Sequence, residues 1–273
     1  MIKVEPIKKI LKCVLASGKL SDEKKPLSAI FIAPIECGKT SIIRRYCLKA
    51  QNVFYTTDAT AHGIIQDTNQ LKDFKTGGLT HIVIPDLLMC IGRKTYTVKT
   101  FIHFMNALIE EGIVNISTYA THLKGKVETR AGLITAIPPD SFRDKRHQWG
   151  KIGFLSRALP VSYDYTLITQ AKILDFIEKQ EHLENEILKI KLPEEPHVIE
   201  LPFKLAKKIE PHAKSLAAAH SEYQKVYGFR YQRQLQTLAK AIALLGDKDE
   251  VDEECLDELE ELLNYINFEF NKI

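Results

Sequence analysis

Eight residues constrain this chain more than any others: Ala33-Pro34-Ile35-Glu36-Cys37-Gly38-Lys39-Thr40, set between a short apolar run and a helical pattern. The run from Pro26 to Ala33 is apolar apart from Ser28 and follows a polar stretch, as a strand buried in a parallel sheet does. Ser41 to Ala50 continues with helical spacing. A strand that passes into a helix through such a loop aims backbone amides at the helix N-terminus, where phosphate groups are held. The pattern is GxxxxGK[ST] with Ala33 in the first glycine position. Gly38 lets the backbone approach a phosphate with no Cβ in the way. Lys39 supplies charge for the β and γ phosphates, and the Thr40 hydroxyl is a Mg²⁺ ligand. Residues Ala33, Pro34, Ile35, Glu36, Cys37, Gly38, Lys39, Thr40 and Ser41 are therefore the expected cradle for ATP, with Mg²⁺ as its companion.

A site of this kind needs a carboxylate to hold the metal's water shell. His81-Ile82-Val83-Ile84-Pro85-Asp86 is an apolar strand that ends in one, so Asp86 joins Thr40 as an expected metal residue. The next residue is Leu87, where a glutamate often polarises the attacking water. Asp58, just past the run Val53–Thr57, and Glu36 within the loop are the candidate substitutes. Arg157, after Gly153-Phe154-Leu155-Ser156, is a candidate to bring positive charge to a neighbouring subunit's γ-phosphate. Arg233, opening a helical pattern with Gln234 and Leu235, is a candidate to fold over the nucleotide.

The wider pattern is that of an α/β protein. Apolar runs at 26–33, 53–57, 81–84, 133–137 and 160–166 alternate with helical patterns at 4–17, 41–50 and 97–111, which predicts a parallel sheet. Segments 115–121 and 126–131 read as a hairpin with Lys124-Gly125-Lys126 at its tip, and two cations there would suit phosphate contacts with DNA. Arg143 to Trp149 adds local basicity, with Trp149 expected to pack rather than stack on a base. From residue 171 the character changes to charged helix. A proline-containing linker ends near 200, and the pattern is helical over 201–226, 231–245 and 252–266. The expected organisation is a core over 1–170, a connecting helix and linker over 171–200, and an all-α lid over 201–273.

This order of parts resembles the AAA+ ATPases. It is most similar to the clade with a hairpin before the sensor-1 strand, which includes the minichromosome maintenance helicases. The residues that carry the likeness are the Ala33–Thr40 loop, the Asp86 strand, the 115–131 hairpin, the 133–137 strand followed by Pro138-Pro139, Ser156-Arg157, and Arg233-Gln234-Leu235. Ser156-Arg157-Ala158-Leu159 matches the first two residues of the helicases' SRFD finger motif. Val251-Asp252-Glu253-Glu254 is similar to the start of their V-T-x-E-D helix. The resemblance implies an AAA+ type P-loop core with a parallel sheet and a helical lid. It also implies ATP-dependent assembly into a homo-oligomeric ring, with a hexamer expected, and a DNA-associated motor or loader. Thr135 is the nearest counterpart of the sensor-1 polar residue. An ATP-gated scaffold switch that regulates a partner protein is the alternative.

Composition excludes several other classes. With 45% apolar and 27% charged residues the chain has ample core-forming material, so disorder is excluded. No apolar stretch is long enough to span a bilayer, and lysines interrupt the N-terminal apolar segment, so neither membrane nor secretory signal is expected and the reading is cytoplasmic. A formal net charge of +3 leaves any basic surface to local patches. Cys13, Cys37, Cys47, Cys90 and Cys255 contain no CxxC spacing, which argues against a zinc site or a disulfide framework.

Overall fold

Among the described residues seven strands form in chain order: β1 (Ala29–Ile32), β2 (Val53–Tyr55), β3 (His81–Ile84), β4 (Ile113–Ser117), β5 (His122–Thr129), β6 (Gly132–Ile137) and β7 (Leu159–Ser162). The computed structural model describes residues 4–66, 78–117, 122–179, 187–220 and 225–268, without the side chains of 116–117 and 122–126. Five of the strands make one parallel sheet in the order β2-β3-β6-β1-β7. Strand β6 lies between β1 and β3, pairing Ile30 with Thr135 and Ile84 with Thr135 across its two edges. Strands β1, β3, β6 and β7 are buried along their whole length. This is why they read as unbroken apolar runs rather than alternating ones.

The helices are α1 (Glu5–Ala16), α2 (Lys39–Cys47), α3 (Ala61–Gln66), α4 (Leu88–Ile91), α5 (Thr95–Asn106), α6 (Pro139–Lys151), α7 (Leu167–Glu178), α8 (Phe203–Lys208), α9 (Glu210–His220), α10 (Phe229–Leu245) and α11 (Glu253–Leu263). The sheet separates two apolar cores. Ala29, Phe31, Val83, Ile134, Ala136 and Val161 face α1, α2 and the C-terminal helices. Ile30, Ile32, Ile82, Ile84, Leu133 and Ile137 face α3, α5 and α6. Truncating one of these buried aliphatics to alanine costs about 2–5 kcal/mol.

Helix α1 joins the sheet to the C-terminal helices. Ile7, Ile10, Leu11 and Val14 recur with helical spacing and are fully buried, in one core with Leu235, Leu238 and Ile242 of α10 and Leu259 of α11. The expected linker is pinned rather than free: the His197 amide donates to the Lys19 carbonyl, and the Ser21 amide to that of His197, both at 2.8 Å. At the outer edge of β7, the Ser162 amide donates to the Tyr265 carbonyl at 2.9 Å, and Val161 bridges Ile266. The chain's last described residues thus cover an otherwise open strand edge.

The hairpin differs from the sequence expectation. Strands β4 and β5 pair antiparallel with Ser117 opposite His122, and residues 118–121 between them lie outside the described residues. Lys124 pairs with Asn115 instead of standing at the tip. From Ile113 to Asn115 is two steps, whereas from Thr129 to Lys124 is five, so the irregularity in the ladder falls within residues 125–128. Gly125 lies in this irregular stretch of β5 and not between the two strands. The side chains of Lys124 and Lys126 lie outside the described residues.

Candidate nucleotide site and a second, arginine-lined cleft

The loop between β1 and α2 reverses direction on two left-handed residues, Glu36 at φ 68° and Gly38 at φ 73°. Ala33 is not a positive-φ position, so alanine costs the loop nothing in backbone conformation there; the strained residue is Glu36. Gly38 caps α2, and its carbonyl accepts the first helical bond, from the Ile42 amide at 2.9 Å. The Lys39 side chain folds back so that Nζ donates to the carbonyls of Ala33 and Pro34, both at 2.6 Å. Burial lowers the Lys39 pKa from its usual value, while the Asp86 carboxylate opposes that shift. A half-buried cation resting on loop carbonyls at a helix N-terminus is a group that gains from an incoming anion.

Asp86 leaves the carboxyl end of β3, where the Leu88 amide donates to its Oδ1 at 3.0 Å and fixes its direction. The two halves face each other across a cleft of about 490 Å³, with Lys39, Thr40 and Ser41 on one wall and Asp86, Ala136 and Pro138 on the other. Ile35 and Glu36 form its exposed rim. Larger clefts exist, including one of about 660 Å³ between α1, α2 and α11, but its lysines and glutamates come from scattered elements with no such loop. Chemistry rather than size therefore selects the loop cleft. Lys39, Thr40 and Asp86 match the donor set that a triphosphate and Mg²⁺ require: a cation, a hydroxyl and a carboxylate around one cavity.

Two residues that the sequence reading missed hold the loop in place. The hydroxyls of Tyr163 and Tyr165 both donate to the Cys37 carbonyl, at 2.9 and 3.0 Å. Burial raises both phenols, Tyr165 to about 12, so they remain donors. Val161, Tyr163 and Tyr165 alternate along the chain as it leaves β7, and that period-two spacing was the available signal.

Other expected residues stand elsewhere. Asp58 forms an ion pair with Arg93 and accepts a weak bond from the Cys90 thiol at 3.8 Å; it does not line the loop cleft. Leu87 is fully buried. Thr135 points into the core on the face away from α2, and its Oγ1 has no hydrogen-bond partner among the described residues. The residues of β6 that reach the cleft are Ala136 and Ile137.

Arg157 and Arg233 share a different cleft, of about 640 Å³, with Lys25, Glu110 and Arg230. Residues 25–28 precede β1 and Arg157 precedes β7, so this cleft lies at the amino edge of the sheet, opposite the loop. Arg233, expected to fold over a nucleotide, stands on the Arg157 side and away from its own chain's loop, because α10 packs on α1. Within the cleft, Glu110 gathers the cations. It pairs with Lys25 and lies 3.5 Å from Arg230 Nε and 4.0 Å from Arg157 Nε. Burial and the nearby Arg230 lower the Arg157 pKa, opposed by Glu110 and Glu111. Arg230 also donates to the Ser156 hydroxyl at 3.0 Å, and Gln234 to the Ser156 carbonyl at 3.1 Å. Trp149 is buried against Phe154 with ring centroids 5.3 Å apart, as expected of a packing residue.

No protein-family model matches the sequence, and no curated protein matches it. Among the described residues, no helix is long and apolar enough to cross a membrane, and no cluster of three His, Cys, Asp or Glu side chains could hold a metal. The five cysteines are buried and unbridged.

Proposed function

We propose that this chain binds ATP with Mg²⁺ in the loop cleft and hydrolyses it at the junction between copies of an AAA+ type oligomer, acting as a DNA-associated motor or loader. The observation that carries this reading is Lys39, folded onto two loop carbonyls at the α2 N-terminus and facing Asp86 across the cleft. Thr40 and Asp86 would hold the metal, and Lys39 would exchange its two carbonyl partners for phosphate oxygens. Arg157 and Arg233 would act on the nucleotide of the next copy, since they lie at the opposite edge of the sheet from their own loop. The β4–β5 hairpin, inserted ahead of β6, accords with the resemblance to the helicase-containing clade and is where DNA would be met.

A second reading is an ATP-gated assembly switch with weak hydrolysis that regulates a partner protein. Two observations favour it: Leu87 stands where a water-polarising acid would, and Asp58 is already paired with Arg93. ATP turnover measured with and without single-stranded DNA separates the two. Stimulated hydrolysis supports the motor, and slow hydrolysis that DNA leaves unchanged supports the switch. Absence of any ATP binding would sink both.

A further inference from the structure

Arg157 is turned inward. Its guanidinium donates through Nη1 to the carbonyl of Gly153 in its own chain, and its side chain is only 12% exposed. Gly153 makes room for it: the residue adopts φ 68°, and a Cβ there would stand 2.6 Å from Nη1. Only a glycine leaves that space. In this position Arg157 presents little to another molecule. Arg233, by contrast, stands exposed at the rim of the same cleft, unpaired among the described residues.

Hydrogen bonding alone does not account for this seat. Arg157 Nε is buried and has no hydrogen-bond partner among the described residues; what stands near it is Glu110 Oε2, 4.0 Å away. The same oxygen lies 3.5 Å from Arg230 Nε. Arg230 brings a second positive charge beside the first and helps to lower the Arg157 pKa. Two neighbouring guanidiniums repel, so the carboxylate they share is what makes the inward position tenable. The backbone of the turn is fixed separately, by Arg230 on the Ser156 hydroxyl and Gln234 on the Ser156 carbonyl. Freeing Arg157 therefore takes rotation of its side chain and no shift of α10.

We propose that Glu110 is a positioning residue that retains Arg157 in its own chain's cleft until a triphosphate on the neighbouring copy competes for the guanidinium. Phosphate oxygens offer a guanidinium paired, charge-assisted hydrogen bonds. Glu110 offers Arg157 Nε one oxygen at ion-pair distance and no hydrogen bond. The exchange leaves Glu110 with Lys25 and Arg230, so no carboxylate is stranded without a cation. An unassembled chain keeps its arginine withdrawn, and only an anion that outcompetes Glu110 draws it out. This inference rests on the divided-site reading for where Arg157 goes, not for what holds it back.

The test reads the guanidinium directly. The full chain is labelled with phenylglyoxal and each arginine is followed by peptide mass spectrometry, with circular dichroism to verify folding. In the wild type Arg157 should react far more slowly than Arg233. Glu110→Gln should raise the rate at Arg157 roughly tenfold, the scale of one hydrogen bond or ion pair to a charged group, and leave Arg233 unchanged. Glu110→Asp draws the carboxylate back by one methylene; it should fall between the two, and it decides the matter if the glutamine variant does not fold. Arg157 labelled as fast as Arg233 in the wild type, or still protected in a folded variant, would overturn the proposal. So would faster labelling with turnover as low as that of Arg157→Ala, which would make Glu110 a group that delivers the arginine instead of restraining it. Mixing Lys39→Ala with Arg157→Ala tells the two readings apart: no recovered turnover, with labelling as expected, removes the divided site and keeps the retention.

Discussion

The Tyr163 hydroxyl donates to the Cys37 carbonyl at 2.9 Å, tying the end of β7 to the middle of the Ala33–Thr40 loop across 126 residues of chain. Tyr165 grips the same oxygen from 3.0 Å. Because the acceptor has two donors, Tyr163→Phe should cost only about 1 kcal/mol in urea unfolding. The double variant Tyr163→Phe/Tyr165→Phe leaves a buried carbonyl unpaired and should cost more than the sum of the single changes. ATP affinity should fall in step with the second substitution. Additive losses with unchanged affinity would mean that the tyrosines do not shape the loop.

The role proposed for Arg157, at a neighbouring copy's nucleotide, makes a different demand. Arg157→Ala should bind ATP normally and hydrolyse it roughly 10³-fold more slowly, a typical loss for such an arginine. Lys39→Ala should lose ATP binding, since its ammonium is the loop's cation. Mixed together, the two proteins form some junctions with an intact loop from one copy and an intact Arg157 from the other. Turnover should return in the mixture. Assembly without recovery would assign Arg157 to its own chain's site and undo the divided-site reading.

Local chemistry was legible in the sequence; long-range approach was not. The loop, Asp86 and the bounds of β3 follow from a few contiguous residues with strong requirements. Helix α6 was missed because only Phe142 and Trp149 are large buried apolar residues along it, too few to show a period. Gly125 was read as a turn when it falls in the irregular part of the hairpin ladder, since glycine serves both uses. Motif order makes Arg233 a candidate to fold over a nucleotide but does not say which side of the sheet it stands on. What places it beside Arg157 is the packing of α1 on α10, a contact between distant segments that no local pattern encodes.

Glu110 was also invisible in the sequence, and it organises the arginine cleft. Burial would raise its pKa, but the hydrogen bond from Lys25, with Arg230 and Arg157 nearby, outweighs burial and holds the carboxyl below its usual range. Its contribution to stability is therefore present above the unfolded-state pKa and lost as pH falls through the lower folded value. Glu110→Gln should destabilise the protein at pH 7 by about 1–3 kcal/mol, because three cations lose their shared partner. The gap between variant and wild type should close below about pH 4. A gap that persists unchanged in acid would show that shape, not charge, is what glutamate supplies.

His81 gives a pH dependence of the opposite origin, from a base kept neutral. It is fully buried at the start of β3, with Nε2 3.2 Å from the Leu27 carbonyl and Nδ1 3.1 Å from the Thr80 hydroxyl. Burial pushes its pKa down to about 4, only partly opposed by the backbone carbonyls. The unfolded chain takes up a proton near pH 6.5 while the folded chain does not, so stability falls as pH drops from about 6.5 to about 4. The loss should reach roughly 3 kcal/mol at the lower end, by the same linkage. His220, lowered by burial and by Arg146, acts with the same sign. His81→Gln should therefore flatten most, but not all, of the decline in unfolding free energy between pH 7 and pH 4, whatever it does to stability at pH 7. A variant whose pH profile runs parallel to the wild type would show that His81 is not the group being titrated.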